Sequence, residues 1–117
     1  MAETTWDWES QRADTEETVQ QLSNDQGIPA GLPINLDIQT VAGEGAERGA
    51  YILALRAAGH PVEIYTGDDG IETVEITIPD TRFDASLIWD HEKAVTEIAL
   101  AHGYVADGWG FWDAGDA

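Results

Sequence analysis

The sequence predicts a single α+β domain in which helices pack on one side of a four-stranded antiparallel sheet. Strand-like and helix-like patterns alternate along the chain, and the polar turn Gly67–Gly70 joins two strand patterns directly. The 117 residues, of which 43% are hydrophobic, suffice for one core. We therefore expect one domain over residues 1–117, with a helix at about 8–24 and a βαββαβ core at about 32–113.

The leading segment from Trp8 to Asn24 contains no glycine or proline and predicts a helix. Its single stripe is only weakly apolar, so this helix should depend on contacts with the rest of the domain. The break at 25–29, which holds Gly27 and Pro29, ends it. The stripe consists of Trp8, Arg12, Thr15, Val19 and Leu22.

The segment from Leu32 to Thr40 alternates between apolar and polar residues, which predicts a half-buried strand. A helix over Ala46–Ala58 follows, and Gly59 ends it. In this helix we expect the small side chains to pack closely on the sheet, with Leu53 as the larger anchor. The apolar strand positions are Leu32, Ile34, Leu36 and Ile38, and the small helix positions are Ala46, Ala50, Ala54 and Ala57.

The second half of the chain predicts a hairpin, a helix and a final strand. Val62–Thr66 and Ile71–Ile78 flank the turn, and a helix capped by Thr81 or Asp84 then extends to about His102. The core stripe expected for this helix is Leu87, Ala94, Ile98 and Ala101, with Ile88 and Val95 beside it. Tyr104–Trp112 completes the order, and its glycines Gly108 and Gly110 indicate a bulge or a close backbone approach.

The predicted elements follow the order of a ferredoxin-like sandwich: strand, helix, strand, strand, helix, strand. In that fold two helices lie on one face of the sheet. The extra N-terminal helix is expected to cover a sheet edge or part of the second face.

Charge is the most informative property of the composition. Asp and Glu number 23 against five Lys and Arg, for a net charge of -18. Nucleic-acid binding draws its affinity from several cations placed on phosphates, so direct contact with DNA or RNA is not expected. Two interpretations remain open: a negative surface that meets a basic protein, and adaptation to a high-salt cytoplasm.

Residues that could support catalysis or bind a cofactor are not arranged for it. There are no cysteines, and none of the serines lies in a Gly-x-Ser-x-Gly elbow. His91 and His102 are about three helical turns apart, too far to share an ion. We expect no enzyme activity, no catalytic or metal site and no cofactor. With no cysteine, no long apolar run and no signal-like start at Met1, a cytoplasmic location away from the membrane is expected.

The polar face of the predicted sheet is the first candidate for protein binding. It carries three carboxylates, one aromatic ring and no cation, which argues against the base stacking and phosphate pairing of RNA-binding sheets. The same residues could also be ordinary solvated strand positions, which is the commoner case. Asp37, Glu63 and Glu75 are the candidate binding residues. The full set is Asn35, Asp37, Gln39, Glu63, Tyr65, Thr73, Glu75 and Thr77.

The aromatic end of the chain is the second candidate. Asp107, Trp109 and Trp112 lie together in a short glycine-containing segment. One tryptophan is expected to pack at the sheet edge against the first helix. The other could be a binding hot spot surrounded by acidic residues, as aromatic anchors often are at interfaces.

The region from about Trp8 to Trp112 resembles the RraB-type regulators that inhibit ribonuclease E. The resemblance rests on the βαββαβ order and the net acidity, together with four stretches of sequence. The most specific stretch is Asp107-Gly108-Trp109-Gly110; the others are Asp14-Thr15-Glu16-Glu17-Thr18, Ala101-His102-Gly103-Tyr104, and the aromatic pair Phe111 and Trp112.

The resemblance implies a non-catalytic protein that binds a ribonuclease E-like enzyme, or a basic segment of one, and slows RNA decay. It also implies a ferredoxin-like sandwich with an added N-terminal helix. Two alternatives remain: an acidic decoy or immunity-type protein that neutralises a basic toxin or nuclease, and a sensor that binds a small ligand between the sheet and the leading helix.

Overall fold

The computed structural model describes residues 6–113, so the prediction about a leader at Met1–Thr5 lies outside the described residues. Three helices and four strands follow one another along the chain. Their bounds are α1 Trp8–Gln26, β1 Pro33–Ala42, α2 Arg48–Ala57, β2 Val62–Thr66, β3 Glu72–Arg82, α3 Ala85–Ala101 and β4 Tyr104–Asp113.

The four strands form one antiparallel sheet in the order β2-β3-β1-β4. Its core side is lined by alternate residues of the central strands, among them Ile34, Leu36, Val74 and Ile76, all fully buried. Helices α2 and α3 add their own buried residues to the same core. This α+β arrangement of three helices and a four-stranded antiparallel sheet is compatible with a ferredoxin-like sandwich.

Helix α1 packs against α3, on the side of the sheet that carries the helices. The rings of Trp8 and Trp89 meet edge to face at 6.2 Å, and Val19 and Leu22 reach the core. The expectation that this helix could cover the second face of the sheet is therefore wrong. The second face, called the open face below, remains without a helix among residues 6–113.

The predicted buried face of α2 is wrong, and that of α3 is correct only in part. In α2 the buried residues are Tyr51 and Leu55, whereas Leu53 is 70% exposed. Tyr51 and Leu55 are four positions apart and bury far more apolar area than a stripe of alanines could. In α3, Leu87 is exposed against expectation, whereas Ile88 and Val95 are buried and Ile98 packs against the core. The buried residues of α3 are Ile88, Trp89, Glu92, Val95, Thr96 and Ala99.

The bulge predicted for the last strand is present and decides which side its aromatic rings occupy. Gly108 pairs with Gln39 and Ala106 pairs with Thr40, so Asp107 is the extra residue. Gly108 has φ 142°, a conformation that favours glycine. Since side chains alternate along a strand, the extra residue turns Trp109 toward the core side and leaves Trp112 on the open face.

A hydrogen-bonded chain crosses the core between α2 and the sheet. The Thr40 hydroxyl donates to the carbonyl oxygen of Val74 at 2.9 Å, and Thr40 Oγ1 lies 2.8 Å from the hydroxyl of Tyr51. The Thr40 oxygen can therefore accept a hydrogen bond from the Tyr51 hydroxyl. The Tyr51 ring also stacks on Tyr104, with ring centroids 4.3 Å apart. Burial raises the pKa of Tyr51 to about 12, which keeps its hydroxyl protonated as a donor.

We expect Thr40→Val to lower the free energy of unfolding by about 2 kcal/mol, because it leaves the fully buried Tyr51 hydroxyl without its partner. Adding Tyr51→Phe should recover most of the loss, since both polar groups are then removed together. Urea unfolding of the two single variants and the double variant measures this coupling. A double variant that loses the sum of the two single effects would contradict the proposed pairing.

Candidate functional site

The open face is polar and acidic, as the strand alternation predicts. Glu63 lies directly opposite Glu75, and Asp37 lies directly opposite Thr77. The Thr77 hydroxyl donates to Asp37 Oδ1 at 2.8 Å, which orients that carboxylate. Arg82, at the last position of β3, is the single cation in the sequence of the four strands.

Glu75 lies at the centre of this face. Its Oε2 accepts a hydrogen bond from Gln39 Nε2 at 2.7 Å and another from the Tyr65 hydroxyl at 3.4 Å. Partial burial, followed by the nearby carboxylates of Glu75, Asp37 and Glu63, raises the pKa of Tyr65.

Trp112 occupies one end of the open face. It lies directly opposite Asn35, and its side chain is 53% exposed. Asp37, two positions along β1 from Asn35, is its diagonal neighbour, at a separation that a long aromatic side chain can bridge. Gly110, opposite Asp37, has no side chain, so the backbone of β4 is accessible beside the ring. Trp112 is therefore a large aromatic side chain exposed at this end of the open face.

The candidate residues consequently fall into two groups. Asp37, Glu63, Glu75 and Trp112 share the open face, whereas Trp109 is half-buried on the helix side and packs against the core. Asp107, at the bulge, lines a cleft on the helix side together with Trp109. The structure thus separates residues that the sequence places in neighbouring positions.

That cleft, of about 530 Å³, opens between α1, α3 and β4. The alternation pattern does not reveal it, because its walls come from three separated parts of the chain. Its lining residues are Trp6, Asp7, Ser10, Gln11, Asp14, Thr15, Thr18, Glu92, Ala106, Asp107, Gly108 and Trp109.

A polar network on one wall of the cleft joins α1 to α3. Glu92 is only 4% exposed, and its carboxylate accepts hydrogen bonds from Thr15 Oγ1 and from Gln11 Nε2, the latter at 3.4 Å. Gln11 Nε2 also donates to Thr96 Oγ1 at 3.2 Å, and Trp6 Nε1 donates to Gln11 Oε1 at 2.7 Å. Burial raises the pKa of Glu92; the donors from Thr15 and Gln11 oppose that shift, and Asp14 adds to it.

Within residues 6–113, no three His, Cys, Asp or Glu side chains come together in a way that could hold a metal ion. Among the helices of that same range, none combines the length and the apolar character needed to cross a bilayer.

Comparison with known proteins finds no family model that matches the chain and no match among the curated proteins.

Proposed function

We propose that this chain is an RraB-like regulator, a ferredoxin-like sandwich with an added N-terminal helix. In this proposal it binds a ribonuclease E-like enzyme, or a basic segment of one, in the cytoplasm. It acts by binding, without catalysis of its own and without direct contact with RNA. The open face is the binding surface.

The observation that carries the proposal is the pair Glu63 and Glu75. Side chains directly opposite each other on antiparallel strands have Cβ atoms about 5 Å apart, and like charges at such positions destabilise a sheet. The ion pairs within residues 6–113 join Arg12 to Glu16 and Arg48 to Glu72, so no cation of that range is paired with either glutamate. A lysine or arginine from a partner would relieve the repulsion.

Aromatic groups supply the apolar part of the same surface. Trp112 and Tyr65 are both exposed on the open face. Tryptophan and tyrosine are enriched among the residues that dominate binding energy, and each ring can also receive a cation over its face. A basic, extended segment could therefore place its charges on the carboxylates and its alkyl stems on the rings.

We expect the variant Asp37→Asn, Glu63→Gln, Glu75→Gln to bind ribonuclease E about tenfold more weakly than the wild type, or about 1.4 kcal/mol less favourably. The same variant should be at least as stable as the wild type, because it removes the repulsion within the sheet. Titration calorimetry at low and high salt measures the affinity, and urea unfolding measures the stability. The wild-type affinity should fall with salt, since exposed charges are screened beyond about 10 Å at 0.1 M.

The matched control is Glu44→Gln, Asp68→Asn, Glu97→Gln, which removes the same number of exposed carboxylates outside the open face. It should bind like the wild type. Trp112→Ala tests the aromatic part and should weaken binding by about 2 kcal/mol if the ring is an anchor. Absence of a complex with ribonuclease E at low salt, equal loss in the control variant, or tight binding of naked RNA would each overturn the proposal.

A further inference from the structure

The cleft between α1, α3 and β4 is separate from the open face and has the dimensions of a ligand site. Trp109, which lines it, lies on the helix side of β4, as the pairing with buried Ile38 shows. Its volume of about 530 Å³ falls within the range of cavities that hold small molecules. Binding in this cleft would therefore be independent of binding at the open face.

The walls of the cleft combine aromatic rings with negative charge. Trp6 and Trp109 line it, and no lysine or arginine of residues 6–113 does. Of its four carboxyl groups, Asp7 is engaged by the first turn of α1, where it accepts a hydrogen bond from the Ser10 backbone N–H at 3.0 Å. The three carboxyl groups that belong to other parts of the wall are Asp14, Glu92 and Asp107.

Two of the lining side chains are held in place before any ligand arrives. Trp6 is held by the hydrogen bond that its indole N–H donates to Gln11 Oε1. The Glu92 carboxylate is held by the hydrogen bonds that it accepts from Thr15 and Gln11. Trp109 packs on Phe111 with ring centroids 6.3 Å apart. Preorganised walls reduce the entropy lost on binding, which favours a specific ligand.

We propose that this cleft binds a small organic ammonium ion, with its charge toward the exposed carboxylates of Asp14 and Asp107 and its alkyl groups against Trp6 and Trp109. Aromatic faces and carboxylates are the two groups that proteins use to recognise such cations. A neutral ligand would leave the carboxylates uncompensated, and an anion would be repelled. A bare metal ion would gain nothing from the tryptophan rings.

Titration calorimetry of the full chain with choline, with putrescine and with 3,3-dimethyl-1-butanol tests the proposal. The alcohol has the shape of choline without its charge. Choline or putrescine should bind, and choline should bind at least tenfold more tightly than the alcohol. Asp14→Asn with Asp107→Asn, both at exposed positions, should weaken cation binding at least tenfold.

The control Glu44→Gln with Asp68→Asn changes the net charge equally outside the cleft and should leave cation binding unchanged. Trp109→Phe retains an aromatic face and should keep most of the affinity, whereas Trp109→Leu should lose it; thermal unfolding of both variants verifies that they fold. No heat with either cation, equal binding of the alcohol, or equal binding of Mg²⁺ in place of the organic cation would overturn the proposal. None of these results depends on binding to a ribonuclease.

Discussion

Replacing Gly103 with alanine is expected to lower the free energy of unfolding by about 3 kcal/mol. Gly103 has φ 80°, and an added Cβ would lie 2.6 Å from the carbonyl oxygen of Gly45 and 2.7 Å from the backbone of Ala46. The left-handed conformation costs a non-glycine residue about 1–2 kcal/mol, and forcing apart tightly packed atoms adds about 1–3 kcal/mol. The neighbouring loop cannot easily move, because Gly43 N–H donates to the Gly103 carbonyl at 2.8 Å.

Gly59 is the matched control for this prediction. It follows α2 as Gly103 follows α3, and it has a similar φ of 86°, but an added Cβ would meet nothing within 4 Å. Gly59→Ala should therefore lower the free energy of unfolding only by the cost of the left-handed conformation, about 1 kcal/mol. Urea unfolding of the two variants gives the difference. Equal losses would show that the contact with Gly45 and Ala46 contributes nothing.

Glu92→Gln is expected to stabilise the protein above neutral pH and to change the pH dependence of its stability. The folded protein holds the Glu92 proton more tightly than the unfolded chain, because burial raises the pKa of this carboxyl above its ordinary value of 4.5. The stabilisation from this group is therefore complete below pH 4.5 and is lost as the pH rises through the folded-state pKa. Each unit of difference between the folded-state and unfolded-state pKa corresponds to about 1.4 kcal/mol in the free energy of unfolding.

Glutamine has nearly the same shape and no charge to bury, and its carbonyl oxygen can still accept from Thr15. The difference in stability between Glu92→Gln and the wild type should be small near pH 4 and should grow in favour of the variant toward pH 8. Glu97→Gln, at an exposed position of the same helix, should show no such growth. A constant difference for Glu92→Gln across this pH range would contradict the raised pKa.

Much of the candidate surface can be predicted from the sequence because strand alternation is a local property. Asp37, Glu63 and Glu75 share a face since each lies at a polar position of an alternating strand. The two tryptophans of β4 could not be assigned in this way. One extra residue at Asp107 reverses the alternation, and its position depends on pairing with β1, more than sixty residues earlier in the chain.

The buried faces of the helices also could not be predicted fully from the local sequence. Tyr51 and Leu53 are both apolar residues of α2, and the alanine spacing favours the side that carries Leu53, yet Tyr51 is buried and Leu53 is 70% exposed. Burial of Tyr51 depends on partners in other elements, such as Thr40 in β1 and Tyr104 in β4. The small residues expected to face the sheet offer less apolar area to bury.

By itself, the sequence determined the order of the elements, the polar and apolar sides of β1, β2 and β3, the glycine-terminated helices and the net negative charge. These depend on residues within a few positions of one another. Only the tertiary structure decided where α1 lies, which tryptophan is exposed and that a cleft exists beside Glu92. Thr15 and Glu92 are 77 residues apart, and the hydrogen bond between them forms only when the packed core brings α1 and α3 together.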